Sequence, residues 1–209
     1  MGFIEDQKWR YATKKFDATK KISNKDLDVL KESIQLAATS YGLQLFKVLI
    51  VENKQKRDFL KPASWGQSQI VDASHLMVFC NFTEVSEEHL NHYAGIKAKA
   101  SNIPVESLSG YMQFIQSTLE ARTPEQIDSW TAKQTYIGLA NLMNAAAELH
   151  IDTCPMEGFD ASKYDEILGL SDKGLAAAVV CPVGYRSEED TTQDAPKVRK
   201  SLDGLFEVV

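Results

Sequence analysis

Cysteine, glycine and proline are scarce in this chain of 209 residues, which contains 3 Cys, 11 Gly and 6 Pro. The low Gly and Pro content excludes collagen-like and Pro/Gly-rich linker architectures. The cysteines are odd in number, widely spaced and without a CxxC pair, which argues against a disulfide framework and against a zinc ribbon. We therefore expect Cys80, Cys154 and Cys181 to be buried, reduced thiols in a cytoplasmic protein.

A long apolar run and an excess of positive charge are also missing. The longest mainly apolar stretch, residues 175–183, is far shorter than the ~20 residues that span a bilayer. The first ten residues include Glu5 and Asp6 and no apolar run, so no signal peptide is predicted. The formal net charge of -6 argues against sequence-independent nucleic-acid binding, because neutralising phosphates requires a basic face. We expect neither a membrane nor a nucleic acid as partner.

The hydrophobic spacing predicts a few strands separated by long helices. Strands are expected at residues 46–51, 76–80 and 175–183, with a short fourth strand at 205–209. Helices are expected at residues 23–39, 54–61, 86–101, 104–121, 124–149 and 160–169. The helix at 124–149 is apolar around much of its girth, which is typical of the middle of a structure or of a subunit interface. We predict a mixed helix-and-strand fold in a single domain, residues 1–209.

Several familiar motifs of enzymes are absent from the sequence. It contains no GxGxxG or GxxxxGK[ST] loop for nucleotide phosphates and no GxSxG turn for a serine nucleophile. His89 and His92 are three residues apart, but the local sequence is not HExxH and no third ligand is evident. We therefore expect exposed helix histidines and no metal site.

Two basic segments near the chain ends could bind an anion. In an extended segment at residues 10–17, alternation places Arg10, Ala12 and Lys14 on one side, with Tyr11 and Thr13 on the other. In residues 196–200, Lys197 and Arg199 likewise share one side if the backbone is extended. When each segment is considered alone, a solvated basic terminus is the favoured interpretation.

Two loops carry residues suited to a polar ring. Residues 154–160 include Pro155, which fixes the chain direction, and Gly158, which permits a close backbone approach. Gln67 and Gln69 precede a buried strand, and their amides can both donate and accept hydrogen bonds. An ordinary connecting loop remains the alternative for residues 154–160.

Taken together, these segments resemble the FMN-dependent nitroreductase family, the NAD(P)H oxidoreductases that reduce nitroaromatics, quinones and free flavins. The resemblance extends in order and approximate spacing over nearly the whole chain. It is carried by residues 10–17, 39–46, 72–75, 132–134, 155–159 and 197–199.

The resemblance implies an α+β sandwich, in which a central, mostly antiparallel sheet is flanked by helices. It further implies an interlocked homodimer with FMN at the subunit interface and a C-terminal extension, here residues 205–209, that reaches over the partner. The implied reaction is ping-pong hydride transfer from NADH or NADPH, through FMN, to a small aromatic or quinone acceptor.

The resemblance also assigns roles to individual residues. Arg10, Lys197 and Arg199 match the clamp on the FMN phosphate. Lys14 matches the lysine at the flavin N1/O2 edge, and the backbone N–H groups of Glu157 and Gly158 match the donors to N5 and O4. Lys14 and Glu157 are thus the expected catalytic residues. The remaining implied FMN contacts are Tyr11, Ala12, Gln67, Gln69, Pro155 and Met156, with Thr39 and Ser40 from the other subunit.

The chain departs from the family pattern at several positions. Gly42 and Leu45 occupy positions where Asn and Pro are common, and Ala12 stands where a hydroxyl is frequent. Tyr41, Tyr111 and Phe114 are the candidates for an aromatic gate over the flavin. Alternative functions are a non-enzymatic flavin-binding redox sensor and a flavin-modifying or dehalogenating relative. A hydrolase or acyl transferase is disfavoured by the missing nucleophile motif.

Overall fold

The computed structural model describes residues 2–209 and centres on a four-stranded antiparallel sheet with the strand order β1-β2-β4-β3. The strands are β1 (Phe46–Val51), β2 (His75–Phe82), β3 (Asp152–Thr153) and β4 (Leu175–Gly184). The α-helices are α1 (Phe3–Trp9), α2 (Asn24–Gln35), α3 (Lys54–Ala63), α4 (Gln69–Asp72), α5 (Glu87–Ser101), α6 (Ser109–Glu120), α7 (Pro124–Glu148), α8 (Ala161–Leu168) and α9 (Leu202–Leu205). Short 3₁₀ turns cover Ser40–Gly42, Val105–Leu108, Ser171–Lys173 and Thr191–Asp194.

Alternating side chains of β2 bury two separate hydrophobic clusters, one on each face of the sheet. Leu76 and Val78 belong to a cluster that includes side chains of α3 and α8. Met77 and Phe79 belong to a second cluster that includes side chains of α2 and α7. Burial on both faces explains why β2 is a nearly continuous apolar run. The structure therefore confirms the expected α+β arrangement of a sheet flanked by helices.

The long helix α7 lies in the middle of the structure, as its apolar girth predicted. A capping box between Thr123 and Gln126 begins the helix, and Pro124 occupies its first turn. Farther along, a Cβ at Gly138 would lie 3.2 Å from the ring of Phe46. The missing side chain thus lets α7 approach the first strand closely.

The predicted fourth strand at residues 205–209 is wrong. Leu202–Leu205 form one helical turn, residues 206–209 form no strand, and Phe206 is 66% exposed. A strand needs a hydrogen-bonding neighbour, and this segment has none within the described chain. The fourth strand is instead β3, whose two residues are too few to show an alternating pattern. Other boundaries differ as well: α2 ends at Gln35 and not near residue 39, residues 105–108 form a 3₁₀ turn before α6, and α3 continues through Pro62 to Ala63.

All three cysteines are free and buried, as expected. Burial raises the pKa of Cys80 to about 12 and raises that of Cys181 as well, so these thiols stay protonated. Within residues 2–209, no helix combines the length and the apolar character that crossing a membrane requires.

A buried ion pair attaches the N-terminal segment to the sheet. Asp152 on β3 accepts hydrogen bonds from the Arg186 guanidinium at 2.7 and 2.9 Å and lies 3.3 Å from the Thr13 hydroxyl. The same guanidinium stacks against the rings of Trp9 and Tyr11, 4.4 and 4.6 Å from their centroids. Tyr11 and Thr13 therefore point into this network, as the predicted alternation requires.

Asp190 is a second anchor for the same segment. Its carboxylate accepts hydrogen bonds from the Tyr11 hydroxyl at 3.0 Å and from the backbone N–H groups of Lys14 and Lys15 at 2.8 and 3.0 Å. Burial by itself would raise the pKa of Asp190, but hydrogen bonds from Thr192 and from these two N–H groups lower it to about 2. The ionised carboxylate fixes the backbone at Lys14.

We predict that the cap of α5 makes stability depend on pH. His89 Nδ1 accepts the Ser86 N–H at 3.0 Å, so this nitrogen must be unprotonated, and burial lowers the pKa of His89. Stability is therefore present above the unfolded pKa of about 6.5 and is lost as pH falls below it. Replacing His89→Gln keeps an acceptor and should lessen the loss between pH 7.5 and 5 by ~1 kcal/mol, measured by urea unfolding.

The exposed His92→Gln variant is the matched control for His89. Burial also lowers the pKa of His75, so part of the loss should persist in every variant. Equal losses in the His89→Gln protein and the wild type would contradict the assignment of this cap.

We also predict that Asp190→Asn lowers the free energy of unfolding at pH 7 by about 2 kcal/mol. The depressed pKa of Asp190 stabilises the fold above its ordinary value near 3.8, and this contribution disappears as pH falls towards 2. The difference in the free energy of unfolding between the variant and the wild type, measured by denaturant titration, should therefore be smaller at pH 3 than at pH 7. Asp194→Asn, at an exposed position nearby, should cause little change.

Candidate active site

The end of β3 brings the predicted site segments together. Ala12 forms a parallel bridge with Thr153, and the Thr13 N–H donates to the Thr153 carbonyl at 3.2 Å. The loop of residues 154–158 follows β3 directly in the chain. The turn that carries Gln67 and Gln69 contacts this loop. Three segments far apart in sequence therefore meet at one strand end.

Three cations from the two chain ends form a cluster. The Lys197 ammonium donates to the Gln7 carbonyl at 2.6 Å and also contacts the Arg10 carbonyl. Burial and the neighbouring Arg199 charge lower the pKa of Arg10. Burial, followed by the charges of Arg10 and Arg199, lowers the pKa of Lys197. Like charges held this close favour binding of an anion.

No carboxylate within residues 2–209 forms an ion pair with any member of this cluster. Arg10 instead donates to the Gln7 side chain at 2.9 Å. Four of the seven ion pairs among the described residues instead link side chains three positions apart. A phosphate dianion would supply the missing charge, and arginine is well suited to bind it by a two-pronged contact.

Lys14 and Gln69 lie beside Cys154, where the chain leaves β3. Burial raises the pKa of the Cys154 thiol, while the Lys14 charge and the Gln69 side chain lower it. Cys154 is 1% exposed and Gln69 is 6% exposed. The thiol thus remains a neutral packing group, and Lys14 remains a cation at the edge of the loop.

The loop after Cys154 presents two adjacent backbone donors. Met156 is fixed to β4, since its N–H donates to the Val180 carbonyl at 2.8 Å and its carbonyl accepts from Val180 at 3.2 Å. The next two N–H groups, those of Glu157 and Gly158, make no hydrogen bond with any described residue. A rigid pair of free donors can bind an acceptor edge of a planar ligand.

Gln67 contacts the same loop from the opposite side. Its Nε2 donates to the Gly158 carbonyl at 2.9 Å and to the Ser64 carbonyl at 3.1 Å. Both amide hydrogens are therefore used within the protein. The Oε1 of Gln67 is the group that remains to accept a hydrogen bond from a ligand.

Trp65 is a site residue that the sequence analysis missed. A Cβ at Gly158 would lie only 2.8 Å from Trp65 Cζ3, so Gly158 allows the indole to rest on the loop. Trp65 is 73% exposed and has a positive φ of 56°, which is uncommon for a bulky residue. The Trp-Gly pair directly before Gln67 was the available signal in the sequence. The earlier gate candidate Tyr41 instead packs against Phe114.

Within the described chain, Thr39 and Ser40 lie away from the loop that carries Glu157. The Ser40 N–H donates to Gln134 Oε1 at 2.8 Å, whereas Tyr136 donates to Glu157 at 2.6 Å. Gln134 and Tyr136 are two residues apart on α7, so their side chains point about 200° apart around the helix axis. Thr39 and Ser40 are thus on the far side of α7 from Glu157. The other predicted residues are brought together within one chain.

The arrangement fits a phosphorylated planar ligand such as FMN. The cation cluster suits the phosphate, and the free N–H pair with the glutamine side chains suits the polar edges of a ring. Within residues 2–209, no group of three or more His, Cys, Asp or Glu side chains is placed to hold a metal ion.

Comparison with known proteins agrees with this geometry. A family model described as the Nitroreductase family matches residues 8–185. A Staphylococcus epidermidis protein with the provisional name NAD(P)H nitroreductase is 39% identical over 209 aligned residues, covering 95% of this chain and 92% of that protein.

Solved structures show the same fold at low sequence identity. A proposed NAD(P)H:FMN oxidoreductase from Staphylococcus epidermidis has a TM-score of 0.89 and 18% identity, covering 100% of this chain and 96% of that one. A proposed nitroreductase from Exiguobacterium sibiricum, solved in complex with FMN, has a TM-score of 0.87 and 18% identity, covering 100% and 98%. The family match over residues 8–185 and the 39% identical relative show that this protein belongs to the nitroreductase family.

Proposed function

We propose that the protein is an FMN-dependent NAD(P)H oxidoreductase that reduces nitroaromatics, quinones or flavins by a ping-pong hydride transfer. Two observations carry the proposal. Three cations, none of which forms an ion pair, cluster at the start of the N-terminal segment that bridges to β3, and two backbone N–H groups without an acceptor lie in the loop that follows β3. The family membership and the similarity to a protein solved with FMN support the same assignment.

Arg10, Lys197 and Arg199 would hold the FMN phosphate. The clamp joins residues nearly 190 positions apart, and a bound phosphate would relieve the repulsion within the cluster. Cofactor binding should therefore also hold the C-terminal segment against the N-terminal one.

The ring would be held by the loop and the two segments beside it. The N–H groups of Glu157 and Gly158 would donate to N5 and O4, Gln67 and Gln69 would bind the pyrimidine edge, and Lys14 would face N1 and O2. Pro155 and Met156 would pack against the ring, with Tyr11 and Ala12 contributing backbone contacts.

When bound, FMN would accept hydride from NADH or NADPH and pass two electrons to the acceptor. The protein's own part is to orient the reactants, and no side-chain nucleophile is required. The Lys14 ammonium would stabilise negative charge at the N1/O2 edge. Trp65, resting on Gly158, would flank the place where nicotinamide and acceptor stack.

We further propose a homodimer, in which a second copy supplies Thr39 and Ser40. These residues lie on the far side of α7 from Glu157 and would complete the site of a neighbouring chain. The exposed apolar residues of the C-terminal segment, such as Leu205 and Phe206, would cover the partner. The cytoplasm is the proposed location, consistent with three free buried thiols.

We predict that the purified protein binds FMN and that NADH or NADPH bleaches its absorbance near ~450 nm, because hydride transfer reduces the flavin. Adding a nitroaromatic or a quinone under anaerobic conditions should restore the colour. A protein that binds FMN but is reduced by neither nicotinamide would contradict the oxidoreductase and favour a redox sensor.

Removing one arginine of the clamp should weaken the binding of FMN but not the binding of riboflavin. We predict that Arg199→Ala costs ~1.5–3 kcal/mol of FMN binding, because the phosphate loses a charged hydrogen-bond donor. Riboflavin, which lacks the phosphate, should bind the variant and the wild type equally in fluorescence titrations. Lys200→Ala is the matched control. An equal loss for both flavins would contradict the clamp.

A further inference from the structure

A single hydrogen bond links the middle of α7 to the loop with the free N–H donors. The Tyr136 hydroxyl donates to Glu157 Oε1 at 2.6 Å. Tyr136 projects from α7, which packs against α2 and β2, and both the Tyr136 and the Glu157 side chains are exposed. The contact therefore connects a rigid element to the one loop residue that carries both an exposed side chain and a free donor.

We propose that Tyr136 is a positioning residue that aims the Glu157 and Gly158 N–H donors at the flavin ring by holding the Glu157 carboxylate. This inference rests on the proposed function and adds to it a residue outside the expected set of cofactor contacts. Tyr136 acts through Glu157 and needs no contact of its own with the ligand.

The other hydrogen bonds of the loop explain why this one matters. Met156 is fixed to Val180 on β4, before the donor pair. The Gly158 carbonyl is fixed by Gln67, after it. Between these two points, the hydroxyl of Tyr136 is the one described partner of the Glu157 side chain. The Glu157 carbonyl also accepts from the Phe159 N–H at 2.9 Å, so each of the two peptide planes that carry the donors has one backbone hydrogen bond. The tyrosine adds the attachment to α7, at the residue that joins these two planes.

The raised pKa of Tyr136 and the absence of an ion pair at Glu157 both favour a lasting hydrogen bond between the two side chains. Burial and the hydrogen bond to Glu157 raise the pKa of Tyr136 to about 12, so the hydroxyl keeps its proton at every physiological pH. Glu157 forms no ion pair with a described residue, so no lysine or arginine competes for its carboxylate. A tyrosine hydroxyl that donates to a carboxylate oxygen gives a short, directional bond.

The test compares binding of FMN and riboflavin, since a ring-positioning residue must affect both. In the full-length protein, Tyr136→Phe removes only the hydroxyl, and Glu157→Met removes only the acceptor at similar length. Glu157→Gln keeps an acceptor for the tyrosine. Tyr185→Phe is the matched control, because the Tyr185 hydroxyl makes no hydrogen bond with a described residue. Dissociation constants and the visible spectrum of the bound oxidised flavin are measured without turnover.

We expect Tyr136→Phe and Glu157→Met each to weaken the binding of FMN and of riboflavin by the same factor, about threefold to tenfold. Both variants should also shift the visible spectrum of the bound flavin in the same way. Glu157→Gln should retain more affinity than Glu157→Met. The double variant Tyr136→Phe/Glu157→Met should be no weaker than either single variant, since both remove one interaction.

Several results would overturn the inference. The first is an unchanged flavin affinity and spectrum in Tyr136→Phe. The second is a loss of affinity in the double variant that equals the sum of the single losses, and the third is a loss of FMN affinity without a loss of riboflavin affinity. A wild-type protein that binds neither flavin would refute the proposed function, and this inference with it. Flavin binding by the wild type, with Tyr136→Phe behaving like Tyr185→Phe, would refute the positioning role and leave the proposed function standing.

Discussion

The antiparallel pairing of β3 with β4 is the constraint on which the site depends. Only Asp152 and Thr153 form the strand, yet the N-terminal segment bridges to it at Ala12 and the donor loop continues from it. Two residues form too few backbone hydrogen bonds to hold this junction alone. The buried Asp152–Arg186 pair supplies the remaining attachment, and its geometry is favourable because the guanidinium contributes two hydrogen bonds and stacks between two aromatic rings.

The site combines groups that are satisfied within the protein with groups that are not. Asp190, Gln67 and the hydroxyl of Tyr136 all have protein partners, and they fix the backbone around the site. The cations of the Arg10 cluster have no counter-charge, and the Glu157 and Gly158 N–H groups have no acceptor. Groups that a fold leaves unpaired in this way weaken its stability, and they are the ones available to a ligand.

The long helix α7 separates two functional surfaces. One side, through Gln134, holds the turn that carries Thr39 and Ser40, while another side, through Tyr136, holds the donor loop. Because one face of α7 packs against α2 and the sheet, the helix can position both. This arrangement supports the proposed homodimer, in which Thr39 and Ser40 of one chain would reach the ligand held by the donor loop of the other.

The sequence by itself determined the central strands, most helices and the free buried thiols, because these follow from local periodicity, capping residues and composition. Which segments form the site was indicated by the resemblance to the nitroreductase family. The sequence could not determine β3, which is too short to have a pattern, and it placed a strand at residues 205–209 where no neighbouring strand exists. Only the tertiary structure decided that Trp65 rests on Gly158 and that Tyr136 contacts Glu157. Such contacts depend on how distant segments pack, and no local property of either segment encodes them.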